Sequence, residues 1–518
     1  MKMRKGLSIL LSITLLIVML AACSGGSNSN KNTGTAPTNT EKPSAPASAA
    51  PTEASNKTIK LEIIETGNNL PAPDKDSIKQ ELDKALNIDL NLTVYPSGDD
   101  YTNQLNVRMA SGNFPDLFML SRQQLLQFSK QGLLLDLTPY MDQLKKTIDF
   151  IGEETVKKGM VDGKVYAISK SPQIPYNTYW IRKDWLDTLK LEVPTTIEEL
   201  AKVAEAFTKN DPDGNSKQDT FGLTGGKLSA FAPVFGAFGV GSPGNFYVKD
   251  GSVLNALYDP AMKDALAFIK QMISSGSVDP ELLANTGLQH QEKSIKGQAG
   301  IVHIDWPNMT KEQFVEQIKT VNPNAEWLQI EAPVGPGGQN DSSWDIGATA
   351  GRFAIPKAIE KDPEKLQRVF DLLNYISDPD GGSLLVQFGV KDTHFTLEDG
   401  TLKMTDKAGE VGHSWLYQFT GRPEMEYLQA KFALQSESIK FANDQKRIEA
   451  LNGFIDIPEG FNAADADRFI EEEIAKFVYD KRPLTEYEDF LKTLETSMNY
   501  TLLLDSAKAQ LNQLGYGS

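Results

Sequence analysis

Between residues 59 and 120 the spacing of apolar positions switches repeatedly between two and about 3.6 residues. The run IKLEII at 59–64 is β-branched and alternating, which predicts a strand. Residues 76–86 carry apolar side chains at Ile78, Leu82, Ala85 and Leu86, a helical period. A period-two stretch at 88–94, a helical stretch at 101–110 and a short apolar run at 114–120 follow. Strand and helix in this alternation predict an α/β lobe with a largely parallel sheet.

Further along, the pattern predicts helices at about 196–207, 260–274 and 312–320, with strands at 163–169, 179–181 and 299–304. The last third is mostly helical, with segments at 364–376, 424–434 and 463–479. A long helix at 485–508 would carry Leu491, Leu494, Met498, Leu502 and Leu503 on one stripe. No internal repeat of 20–50 residues is present.

The N-terminus differs from all of this. Lys2, Arg4 and Lys5 precede an apolar run at 7–22 that is short for a membrane span of about 20 residues and reads as an export signal. Residues 24–57 contain no Val, Ile, Leu, Met, Phe, Trp or Tyr. Such a segment cannot bury apolar surface; it is expected to stay disordered, as a tether with a mean reach of roughly 30 Å.

Composition narrows the function classes. The 518 residues carry 52 Lys+Arg against 69 Asp+Glu, a formal charge of −17, which argues against nucleic acid. The length suggests two or three packed units. A lone cysteine excludes intramolecular disulfides and disfavours a thiolate zinc site; the four histidines, His290, His303, His394 and His413, form no helical metal pair. The chain contains no GxSxG, GxxxxGK[ST] or HExxH. Gly239 to Gly244 formally fits GxGxxG, but Pro243 and the lack of a following amphipathic helix make it a loop. Counting leaves a glycosidase carboxylate pair open, because sequence gives no separation to test.

One loop carries metal-ligand spacing. Asp211, Asp213, Asn215, Lys217 and Asp219 recur at every second position, so a tight turn could aim three carboxylates, an amide and the Lys217 carbonyl at a hard cation such as Ca²⁺. It departs from an EF-hand at its sixth position, Ser216, and its twelfth, Gly222. The six tryptophans are Trp180, Trp185, Trp306, Trp327, Trp344 and Trp415; rings flanked by polar groups suit sugar faces, although any single one is more often core.

The sequence around Cys23, Leu20-Ala-Ala-Cys-Ser-Gly25, resembles a bacterial lipobox, which implies diacylation of Cys23 and a membrane-anchored, extracellular protein. Seven further stretches, in order, resemble the family 1 extracellular solute-binding proteins, the substrate receptors of carbohydrate ABC importers. They are MASGNFPDLF at 109–118, GLLLDLTPY at 132–140, GKVYAI at 163–168, YWIRKDWL at 179–186, VPTTIEEL at 193–200, GQAG at 297–300 and FAIP at 353–356.

The resemblance implies a two-lobed periplasmic-binding-protein-like α/β fold closing on a ligand, with a helical C-terminal region. It places crossovers near 169–172 and 347–351. The implied order is a leader at 1–22, a linker at 23–57, a first lobe at 58–171 and 348–415, and a second at 172–347 and 416–518. Size and the 211–219 loop are most similar to alginate-binding proteins and large Gram-positive lipoprotein receptors, which implies an oligosaccharide ligand and strengthens the Ca²⁺ reading. Residue by residue it implies a stacking Trp306 beside Asp305, a second stacking Trp415, and Tyr176, Asn177 and Asp116 along the cleft. Arg352 and Arg422 are candidates for pairing a uronate carboxylate. The expected protein is a non-catalytic monomer that hands its ligand to two permease subunits. A glycan-processing enzyme or a surface interaction protein is the alternative, and a peptide ligand stays open.

Overall fold

The computed structural model describes residues 57–96 and 98–517. The leader, Cys23 and, but for Lys57, the linker lie outside them. The first lobe opens with β1 (Ile59–Thr66), α1 (Ser77–Leu86), β2 (Ile88–Tyr95), α2 (Gly98–Ser111), β3 (Leu117–Leu120) and α3 (Arg122–Lys130). Asp76 starts α1 by accepting from the N–H groups of Ile78 and Lys79, both at 3.1 Å, and Ser121 with Gln124 forms a capping box on α3. β1 runs parallel to β2, from Ile59 opposite Ile88 to Thr66 opposite Tyr95, and parallel to β3. A short β4 (Ile168–Ser169) joins the same sheet.

The chain then builds a second sheet from β5 (Asn177–Arg182), α4 (Ile197–Lys209), β6 (Phe221–Gly225), α5 (Ala261–Ser274), β7 (Ala299–Asp305) and β8 (Trp327–Ile330). Its strand order is β8-β5-β7-β6, with β7 antiparallel to β5 and parallel to β6. Strand alternation divides its side chains between two cores. Tyr179, Ile181 and Ile301 face a cluster with Phe207, Leu266 and Phe477, whereas Trp180, Val302 and Ile304 face one with Trp306, Phe388 and Tyr427.

After β9 (Ser343–Asp345) the chain returns to the first lobe as β10 (Arg352–Ala354), antiparallel to both β3 and β4. The first sheet is therefore ordered β2-β1-β3-β10-β4. Helix α6 (Pro363–Ser377) covers it, burying Leu366, Val369, Phe370 and Leu373 against Leu61 and Ile63. Later elements include α7 (Glu424–Lys431), α8 (Ser436–Asp444), β11 (Ile448–Ala450, parallel to β9), α9 (Ala463–Val478), α10 (Tyr487–Ser497) and α11 (Tyr500–Gln513).

Two expectations change. The helix expected at 485–508 is two helices, because Asn499 takes a left-handed conformation at φ 56° and turns the chain between α10 and α11. The stripe survives the break, since Leu494 and Leu503 both stay buried in one core. Leu416, Tyr417 and Phe419 pack in the first-lobe core, so the last passage between lobes falls after 415, at 420–422. Conversely Phe388 and Phe395 pack with the second-lobe residues Trp306 and Tyr427.

Three passages cross side by side. The Lys170 N–H donates to the Gly351 carbonyl and the Ser171 N–H to the Thr420 carbonyl, each at 2.9 Å. Ser171 Oγ donates to the Arg422 carbonyl at 2.6 Å and accepts from the Arg422 N–H at 2.9 Å. Gly421, at φ 89°, allows this approach: a Cβ there would stand 2.3 Å from Ser171 Oγ.

Candidate ligand cleft

In open α/β sheets, ligands bind beyond the carboxyl ends of strands. Here β6 and β7 deliver Ser229 and Asp305 to one cavity of about 390 Å³, closed by the passage residues Gln173 to Asn177 and by Ser242, Ser342, Ser343, Trp344 and Arg447. The Trp344 ring is half-buried, and Asn177 is exposed. Asp305 is partly exposed; its Oδ1 accepts from the Asn308 N–H at 3.1 Å. A second cavity of about 770 Å³ lies between the start of α3, at Arg122, Gln123 and Leu126, and second-lobe residues 455–463.

The polar lining is tied down from behind. Arg447 Nη2 donates to Asp341 Oδ2 at 2.6 Å and to the Asn177 carbonyl at 2.9 Å, while Nη1 donates to the Ala442 and Gln445 carbonyls. Burial pushes the Asp341 carboxyl up and Arg447 pulls it back. Burial also holds His303, which lines the same cavity, down to about 3, with Arg447 and His290 adding to the effect. That imidazole is neutral at neutral pH.

The expected site residues part company. Tyr176, Asn177 and Asp305 meet in the first cavity. Tyr176 donates its hydroxyl to Glu424, and burial with that carboxylate raises its pKa. Trp415 is 38% exposed and its ring edge lies against Gly67, just beyond the end of β1.

Trp306 presents no face to solvent: it is 1% exposed, with Phe432 at 5.5 Å and Tyr176 at 5.8 Å between ring centroids. It belongs to the core, contrary to the expected stacking role. Asp116 is likewise buried, accepting from the Glu62 N–H at 2.8 Å and pairing with Lys365 at 3.1 Å, so its carboxylate serves the first sheet.

Neither candidate for a uronate partner is free. Arg422 grips Glu424 through Nε at 2.6 Å and Nη2 at 2.9 Å and lies over the Tyr427 ring at 3.8 Å. Arg352 donates to the Lys158 and Gly453 carbonyls, and burial lowers its pKa to about 10. Sequence reasoning missed Trp344, Arg447 and the serines; Trp344 was among six equivalent tryptophans until the β9–β11 pairing set it in the lining of the smaller cavity.

In the 211–219 loop, Asn215 Nδ2 lies 2.8 Å from Asp213 Oδ2 and 3.1 Å from Asp219 Oδ1. Asp211 accepts from the N–H groups of Asn215 and Ser216. Burial and the neighbouring Asp211 and Asp219 push Asp213 up. Among the described residues, no three His, Cys, Asp or Glu side chains already stand as a metal cluster.

Two sheets joined by three adjacent passages, with a cavity beside the first of them, define a two-lobed binding protein. The chain belongs to the bacterial extracellular solute-binding proteins, whose family model matches residues 77–384. It is 25% identical to the lipoprotein LipO of Bacillus subtilis, over 80% of each chain. It is 27% identical to the polygalacturonan/rhamnogalacturonan-binding protein YtcQ of the same organism, over 72% of this chain and 73% of that one. Identity is also 27% to the fructooligosaccharide ABC transporter substrate-binding protein FusA of Streptococcus pneumoniae, covering 55% of this chain and 54% of FusA.

Solved structures share the fold. An HMO-binding, ABC-transporter-associated solute-binding protein from Bifidobacterium longum infantis superposes with a TM-score of 0.68 at 17% identity, over 89% of this chain and all of that one. The alginate-binding protein AlgQ2 without calcium ion gives 0.62 at 18%, covering 88% and 99%. An EF-hand mutant of FusA in complex with fructo-nystose gives 0.59 at 20%, covering 89% and 100%.

Proposed function

We propose that this solute-binding protein captures an oligosaccharide outside the membrane and delivers it to the permease subunits of an ABC transporter. The observation that carries the reading is the smaller cavity, which lies on the second lobe where the first passage enters it. Its lining combines the half-buried Trp344 with Asp305, Asn177 and several serine hydroxyls. Sugars need both, an apolar surface for their C–H faces and polar partners for their hydroxyls. Ligand bridging the two lobes would favour the closed state by its additional contacts there.

Cys23 would hold the protein on the membrane as a diacylated N-terminus, supported by the lipobox and by the lipoprotein relative. The 211–219 loop would hold one structural Ca²⁺. The fit rests on Asn215: its amide stands where Asp213 and Asp219 converge, and turning that amide over offers an oxygen in place of the nitrogen. The ion would supply charge neutralisation within the loop and no chemistry toward the ligand.

The test uses purified protein, a panel of labelled oligosaccharides and small-angle scattering. Ligand-dependent compaction without product release supports the receptor. Turnover of the sugar, or compaction with peptides only, overturns it. For the anchor, Cys23→Ser should release the folded protein from membranes, and retention of that variant would refute acylation as the tether.

A further inference from the structure

We infer that the ligand is a neutral oligosaccharide, and that the cleft excludes uronic acid chains because each cation lining it is already matched by a carboxylate of the protein. The inference rests on the receptor reading above and narrows its substrate class, which the relatives leave open between polygalacturonan and fructooligosaccharide.

A uronate moved out of water into a cleft needs a cation or several N–H donors in return, and Arg supplies them through its two-pronged guanidinium. The smaller cavity has one arginine in its lining, Arg447. Its Nη groups are spent on Asp341 and on three main-chain carbonyls. The larger cavity has Arg122, held by both oxygens of Asp456 and by the carbonyls of Lys158 and Met160, with Glu459 adding a negative charge to the same lining. Lys158 and Arg352, near the same interlobe contact, line neither cavity; Lys158 donates to the Ala348 carbonyl and Arg352 to those of Lys158 and Gly453.

The rest of the smaller cavity is neutral or negative. Among the described residues Asp305 has no Lys or Arg partner, and it sits among the side chains of Asn177, Ser229, Ser242 and Ser343. His303 adds no positive charge at neutral pH. A carboxylate among amide and hydroxyl groups accepts from sugar hydroxyls, which are donors, and repels a second carboxylate. Charge therefore acts here as a filter: a neutral chain gains Asp305 as an acceptor, while a uronate would meet it as a like charge with no free guanidinium to compensate.

The experiment is calorimetric titration of the full protein with two sets of tetrasaccharides. One set is neutral, with fructo-, galacto-, xylo- and cello-oligosaccharides; the other comprises tetragalacturonate and tetramannuronate. Each is measured at about 50 and about 300 mM salt, so that charge repulsion shows as salt dependence. The expected result is binding of at least one neutral sugar, insensitive to salt, with every uronate about 30-fold weaker or more.

A uronate that binds within that margin, or more tightly, overturns the inference and leaves the receptor reading standing. If no sugar of either set binds, the receptor reading itself falls and takes the inference with it. Asp305→Asn keeps the shape of the side chain and removes its charge. It should weaken the neutral sugar about 10-fold and narrow the gap to the uronates. A folded Asp305→Asn protein with an unchanged gap refutes Asp305 as the filter.

Discussion

Arg122, at the start of α3 in the first lobe, holds Asp456 of the second lobe with both prongs of its guanidinium, Nη2 meeting Oδ2 at 2.8 Å. Asp456 is itself fixed by Gln510 of α11, whose Oε1 accepts from the Asp456 N–H at 2.7 Å and whose Nε2 donates to the Asp456 carbonyl at 2.9 Å. The pair thus ties the C-terminal helices to the first lobe at a point far along the chain from the three passages.

Asp456→Asn should therefore act on the balance between open and closed lobes more than on folding. Both partners are partly exposed, and Arg122 keeps its main-chain acceptors, so the stability loss should be about 1 kcal/mol. Scattering should show a larger radius of gyration, and ligand affinity should fall about 3- to 10-fold as the competent fraction drops. Unchanged scattering and affinity would show that the pair does not govern closure.

The two tryptophans on either side of the Tyr176 passage should separate cleanly. Trp344→Ala removes a half-buried ring from the cavity and should cost about 1–3 kcal/mol of sugar binding, by analogy with aromatic stacking on bases, with the melting temperature little changed. Trp306→Ala empties a core site packed by Tyr176 and Phe432 and should cost about 3–5 kcal/mol of stability. Denaturant melts and titrations on both variants decide the assignment, and it fails if the effects are exchanged.

His303 sets a pH dependence whose direction follows from burial. Its folded pKa, about 3, lies below the 6.5 of an unperturbed side chain, so the unfolded chain binds the proton more tightly. The contribution of His303 to stability is complete well above pH 6.5 and is lost as pH falls toward about 3, by roughly 2 kcal/mol at pH 5. His290, lowered by burial as well, contributes in the same direction. His303→Gln should flatten the decline measured by denaturant titration at several pH values, and a curve parallel to wild type would place the acid sensitivity elsewhere.

The first lobe was legible in the sequence because each of its early elements has its own period. The alternation at 59–64 and 88–94 marks β1 and β2 as strands, and in the second lobe the start of α4 is visible as Thr-x-x-Glu at Thr196 and Glu199. The cleft was not legible in the same way. Trp344 gains its place from β9 pairing with β11, some hundred positions later, and the neutralisation of Arg447 by Asp341 depends on a fold around both. Trp306 misled for the opposite reason: a turn after a strand looks exposed in sequence, yet α7 and Phe432 cover it. Composition likewise says that arginines exist but not that Arg422 is spent on Glu424.

Calcium should act on stability and barely on ligand. Asp213 and Asp219 lie within reach of the Asn215 amide and Asp211 accepts from the backbone N–H groups of Asn215 and Ser216, and without a cation the mutual repulsion of the three carboxylates is met only by these donors. The loop also joins α4 to β6, where Thr220 Oγ1 donates to the Phe207 carbonyl at 2.8 Å, so loosening it would release the end of α4. At 100 times its dissociation constant, Ca²⁺ would add about 2.7 kcal/mol, provided the unfolded chain does not bind it. Calorimetry with and without a chelator should show a lower melting temperature for wild type on chelation and no such shift for Asp213→Ala. Sugar affinity should change much less, because neither the smaller cavity beside the first passage nor the one beside α3 includes a residue of this loop. A wild-type melting temperature indifferent to chelator, with no cation found by elemental analysis, would reduce 211–219 to a hydrogen-bonded turn whose amide and backbone N–H groups suffice to hold its carboxylates together.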